Sequence, residues 1–164
     1  MDLIFLGLMA VLVVIGLVIG KLVGKKLGKA EFDERQQLAR GKAYKAGFYT
    51  LLAVYLLPIF TEWQPKDAAL LPFAAICVGV TVFACVAVAN DAYLGIRQNP
   101  RVMLLVLGIV VVGNLLAGFS AMETAGFADG ITVENSMNFI IAVMGLIILT
   151  ALAVRLRMAV RDEE

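Results

Sequence analysis

Histidine is absent from this chain, and cysteine occurs only twice, as Cys77 and Cys85. Without histidine the chain lacks the commonest metal ligand and the side chain best suited to proton transfer near neutral pH. The two cysteines fall in one apolar run; as helix neighbours eight residues apart they would lie about 12 Å from each other, too far for a disulfide. Charge is also scarce, at 16% of residues against 62% hydrophobic, where a soluble domain carries about 25% charged. The 14 bases and 13 acids cancel to +1, so neither direct nucleic-acid binding nor an acidic substrate is indicated. No nucleophile with a positioned base stands out, so the chain reads as a non-enzyme that needs no cofactor or metal. The acids Glu123, Asp129 and Glu134 match no calcium-loop spacing.

Long hydrophobic runs fill the rest. Five stretches carry no charge: Leu3 to Gly20, Ala46 to Thr61, Ala68 to Asn90, Val102 to Met122 and Asn135 to Val154. A membrane-crossing helix needs about 20 apolar residues, with a range of about 17 to 25. The sequence therefore predicts an all-α integral membrane bundle of five transmembrane helices in a single domain covering 1–164, with spans at about 3–23, 46–61, 68–91, 101–122 and 135–155. The second run is the shortest and holds Pro58, but Lys42 and Lys45 can snorkel beside it, and Tyr44, Tyr49 and Trp63 sit where interfacial aromatics belong. The first run lacks a basic segment before it and a cleavage site after it, so it reads as a retained anchor rather than a signal peptide.

Charge asymmetry gives the orientation, because cytoplasmic flanks of transmembrane helices are enriched in lysine and arginine. Five spans with the N-terminus outside and the C-terminus in the cytoplasm leave only Lys66 among the 14 bases on the outer side. Removing the second span would move Arg97 and Arg101 outside, which the asymmetry opposes.

Small residues suggest how the spans pack. Gly16, Gly20, Gly24 and Gly28 form one face of the first helix, which permits close approach within the subunit or in a homo-oligomer. Between the first two spans, the linker 24–45 is basic. Asp33 followed by Gln36 has the spacing of a capping-box variant and predicts a helix that starts at Glu34 and continues into the second span as far as Phe60. On that helix Ala39, Ala43 and Gly47 form a second small-residue face, expected to receive the glycine face of the first helix. Asn99-Pro100 reads as the cap and first turn of the fourth span, and Gly95 as the stop of the third.

Intramembrane charge usually marks an ion or substrate path, and none of the five runs contains any. Asn114, mid-run, is expected to make a helix–helix hydrogen bond. Asp91 is expected to pair with Arg97, Arg101 or the basic linker. Topology accounts for the bases of the linker but not for its mixed acidic and amide cluster, so Asp33, Glu34, Arg35, Gln36, Arg40 and Lys42 form the candidate partner-binding surface.

The run from Asp33 through Gln36, followed by Ala39-Arg40-Gly41-Lys42-Ala43-Tyr44-Lys45 and Gly47-Phe48-Tyr49-Thr50, resembles a segment of uncharacterised small multi-pass membrane proteins of Gram-positive bacteria. Relatives of that kind are often encoded beside helix-turn-helix regulators. The resemblance implies a bacterial cell-membrane protein with such a regulator as a cytoplasmic partner, and it brings no catalytic residue. The expected role is regulatory or assembly, exercised through the basic linker while the spans contact the lipid bilayer. The alternative is a small transporter, channel or subunit of an export complex.

Overall fold

A computed structural model describes Lys21, Lys25 and residues 30–61, 65–125 and 130–161. The expected first span, with Gly16, Gly20, Gly24 and Gly28, lies outside the described residues, as do Trp63 and Asp129. Among the described residues the fold is all-helical, with four long helices: α1 (Glu34–Thr61), α2 (Leu70–Ala89), α3 (Pro100–Ala125) and α4 (Val133–Arg161). Each is long and apolar enough to cross a membrane.

Local sequence accounts for each boundary. The Asp33 Oδ1 accepts the backbone N–H of Gln36 at 2.6 Å, which caps α1. From there α1 runs unbroken through Gly41, Gly47 and Pro58. The linker from Glu34 onward and the second apolar run are thus one helix of about 42 Å, longer than the roughly 30 Å of bilayer hydrocarbon. Pro100 opens α3, where a missing N–H costs nothing, and Asn99 Oδ1 accepts from the N–H groups of Arg101 and Val102. Ahead of α4, Thr132 and Asn135 cap each other reciprocally: Thr132 N–H donates to Asn135 Oδ1, and Asn135 N–H donates to Thr132 Oγ1.

The helices pack in the order α1, α2, α4, α3, and α3 touches only α4 among the described helices. The backbones of α1 and α2 meet at Gly47 and Gly79. A Cβ added to Gly47 would lie 2.7 Å from the Gly79 carbonyl oxygen, and one added to Gly79 would lie 2.9 Å from the Gly47 carbonyl oxygen. Of the face of Ala39, Ala43 and Gly47, expected to receive the first helix, Gly47 packs against Gly79 and Phe83 of α2. Gly79 supplies the matching notch, and a single glycine inside a long apolar run gives no sequence cue to its partner. Asn114 also departs from expectation: its Nδ2 donates to the Val110 carbonyl of its own helix rather than across to a neighbour. In an apolar surround that satisfies the amide locally.

Two polar junctions close the ends of the bundle. At the end holding Thr61 and Val133, Asp67 accepts the N–H of Ala69 at 2.9 Å and that of Val133 at 2.7 Å. The carboxylate ties the α1–α2 hairpin to the positive end of α4. These two backbone N–H donors hold the Asp67 carboxyl below the usual aspartate range.

The α1–α2 contact makes a direct prediction. Gly47→Ala or Gly79→Ala forces a Cβ against backbone that cannot yield, and each should destabilise the protein by about 1–3 kcal/mol. Gly108, which has nothing within 4 Å of an added Cβ, should tolerate alanine. Thermal unfolding in mild detergent checks this; equal effects at all three glycines would contradict the packing.

Candidate functional site

The opposite, basic end of the bundle brings together the start of α1, the end of α2, the α2–α3 loop and the end of α4. Its centre is Asp91. Helix α2 closes in a Schellman motif: Asp91 N–H donates to the Val88 carbonyl at 3.1 Å and Ala92 N–H to the Ala87 carbonyl at 2.8 Å. That motif requires a left-handed residue, and Asp91 adopts φ 54°. Glycine is usual there because a side chain costs roughly 1 kcal/mol or more in this conformation. The expected stop at Gly95 is thus displaced four residues upstream.

The aspartate side chain does what glycine could not. Asp91 Oδ1 accepts from Arg155 Nε at 2.7 Å, and Oδ2 accepts from Arg155 Nη2 at 2.6 Å, a two-pronged pair with α4. Arg35 of α1 approaches the same carboxylate at 3.8 Å. The pairing with the linker was expected; Arg155 was not, and Arg97 instead pairs with Glu31 at 3.3 Å. The Arg155 bonds foremost, then the charges of Arg155 and Arg35, hold the Asp91 carboxyl below its usual range against partial desolvation. Its side chain remains 44% exposed, so solvent screening limits the pair to about 1 kcal/mol at most. That roughly offsets the left-handed backbone, which makes the pair a positioning device more than a source of stability.

The loop after Asp91 is clasped by α1. Gln36 Nε2 donates to the carbonyls of Asp91 at 2.7 Å and Leu94 at 3.3 Å. Arg40 Nη1 donates to the Ala92 carbonyl at 3.1 Å. In return Ile96 N–H donates to the Glu31 carbonyl at 2.8 Å. Gly95 is what lets the segment ahead of α1 approach: a Cβ there would lie 2.7 Å from the Glu31 carbonyl oxygen. Its role is close backbone contact, not helix termination. The Arg40 guanidinium lies 4.2 Å from the Phe32 ring centre, and Tyr44 stacks on Phe83 at 4.5 Å beneath it. The capping box is consequently half of the expected one. Asp33 caps, while the Gln36 side chain bonds the loop instead of turning back.

The candidate residues separate into two groups. Gln36 and Arg40 are bonded to the loop, and Asp33 to its own helix. Glu34, Arg35 and Lys42 are exposed, as is Leu38, at 73%. Leu38 was not singled out by sequence reasoning, although it is the one large apolar side chain between Phe32 and Tyr44. Arg155 was read only as a topology signal, yet it and Asp91 each directly follow an uncharged run, after Val154 and Asn90, at what the expected topology makes the same end. Among the described residues no cluster of three metal-ligating side chains forms.

No family model, curated protein or solved structure matches the chain.

The Asp91 pair has a pH signature. Because its carboxyl is depressed in the folded state, the contribution of the pair is complete above the unfolded aspartate range and is lost as pH falls through the folded value. Asp91→Asn keeps a side chain that tolerates the left-handed backbone and removes only the charge. It should lower stability at pH 7 by up to about 1 kcal/mol, with the gap closing in acid. Denaturation of both proteins between pH 3 and pH 7 checks this; a gap that does not change with pH would contradict the assignment.

Proposed function

We propose that this chain is a non-enzymatic bacterial cell-membrane protein that displays a rigid helical stub to a cytoplasmic protein partner. In this reading the chain crosses the bilayer five times, with its N-terminus outside and the basic end of the bundle in the cytoplasm. The distribution of lysine and arginine supports that orientation. The first three turns of α1, from Glu34 to Lys45, then project from the membrane.

One observation carries the proposal. The stub is fastened on one side through Gln36 and Arg40, while Glu34, Leu38, Gly41 and Lys45 are exposed on the other. These positions recur at spacings of three and four and so share a helix face. The face carries a large apolar side chain between an acid and a base, at a place where no apolar span requires one. Exposed apolar anchors rimmed by charge are features of protein interaction sites. The resemblance of the Asp33 to Gln36 segment to proteins encoded beside helix-turn-helix regulators suggests that class of partner.

A photo-crosslinking residue placed at position 38 in cells should capture a soluble cytoplasmic protein. The same residue at Leu105 on α3, which is also exposed and apolar, should capture none. Leu38→Asp should abolish co-purification of the captured protein without altering membrane insertion. Identical adducts at positions 38 and 105, or undiminished co-purification with Leu38→Asp, would sink the proposal.

A further inference from the structure

Beside the clasp, between the first turns of α1 and the end of α2, lies an open cleft of about 400 Å³. Arg35, Leu38, Ala39 and Lys42 line it from α1, and Ala89, Asn90 and Asp91 from the end of α2; Leu38 stands at its rim, 73% exposed. It differs from the apolar groove deeper between the same two helices. The groove between α1 and α2 deeper in the bundle, lined by Gly47, Leu51, Gly79 and Phe83, is wholly apolar in its lining residues apart from Tyr44.

We infer that this cleft binds the phosphate of an anionic lipid headgroup. The charge balance of the cleft supports an anion. Its one acid, Asp91, is already bonded at both oxygens by Arg155, so it neither repels an anion fully nor holds Arg35 firmly. Arg35 stands 3.8 Å from that carboxylate, without a hydrogen bond to it. Lys42 is exposed and has no acid within salt-bridge distance among the described residues. Two cations seven residues apart share a helix face, and Ala39 between them leaves the space that a larger side chain would fill. The Asn90 amide donates to the Val86 carbonyl of its own helix, so the cleft's charge is set by Arg35, Lys42 and Asp91.

The level of the cleft supports a lipid as the source of the phosphate. Lys42 precedes Ala46, the first residue of the uncharged run, by about 6 Å along the helix. That is headgroup depth, since polar headgroups occupy about 5–7 Å on each side of the hydrocarbon. Tyr44, Phe48 and Tyr49, all exposed, surround that level as interfacial aromatics do. The assignment does not rest on a protein partner at Leu38.

Native mass spectrometry of the full chain in neutral detergent, with phosphatidylglycerol or phosphatidylcholine added, tests it. The wild-type protein should retain phosphatidylglycerol in preference. Arg35→Gln with Lys42→Gln should weaken that retention by about tenfold. Arg157→Gln with Arg161→Gln removes the same charge away from the cleft and should change it by less than about twofold. Ala39→Leu, which fills the cleft without altering charge, should weaken it as the first pair does. Equal losses in both charge pairs would mean diffuse attraction and overturn the site. Retention unchanged by Ala39→Leu would overturn it as well. Displacement of the lipid by millimolar inorganic phosphate would overturn the lipid assignment in favour of a soluble anion.

Discussion

Asp91 holds the basic end of the molecule together because two parts of one residue act in different directions. Its side chain reaches α4 through Arg155, and its backbone carbonyl is taken by Gln36 of α1. The left-handed backbone at this position is what separates the two, turning the chain out of α2 so that carbonyl and carboxylate face different helices. Helix α2 contacts both α1 and α4, so the residue at its end is the natural place to fix all three. The ion pair supplies little net stability at its exposure; it supplies register.

Everything else at that end depends on the register. Only with the loop in place do the carbonyls of Ala92 and Leu94 meet Arg40 and Gln36, and only then does Gly95 lie against Glu31. Those contacts hold the first turns of α1 against the bundle, where an isolated helical overhang would fray. They also decide which face of the stub is free. The partner surface proposed at Leu38 and the phosphate cleft between Arg35 and Lys42 adjoin on the same fastened helix and share Leu38 at their border, so both follow from one arrangement.

The sequence made the helical, apolar character of the chain readable, as well as the start of α1, since apolar run length, Asp33 and Asn99 are local signals. It did not reveal which small-residue faces meet. Ala43 and Gly47 were visible, but the contact of Gly47 with Gly79 depends on tertiary order, which no spacing rule encodes in a chain that is apolar all round. Asp91 was readable as a helix-end acid, and its left-handed conformation was not, because glycine four residues later offered the stronger stop signal. Gln36 shows the same limit more sharply. Its place in a capping box was correct for the backbone, yet its side chain bonds a loop 55 positions away. Local rules gave the cap and missed the clasp.

Hydrogen exchange of the amides of α1 in a lipid nanodisc tests the clasp most directly. The account predicts that residues from Leu38 to Lys45 are protected far beyond a frayed helix end in the wild-type protein, and that Gln36→Ala with Arg40→Ala removes this protection while leaving residues after Ala46 unchanged. Rapid exchange of that stretch in the wild-type protein, or protection that survives the double substitution, would contradict it.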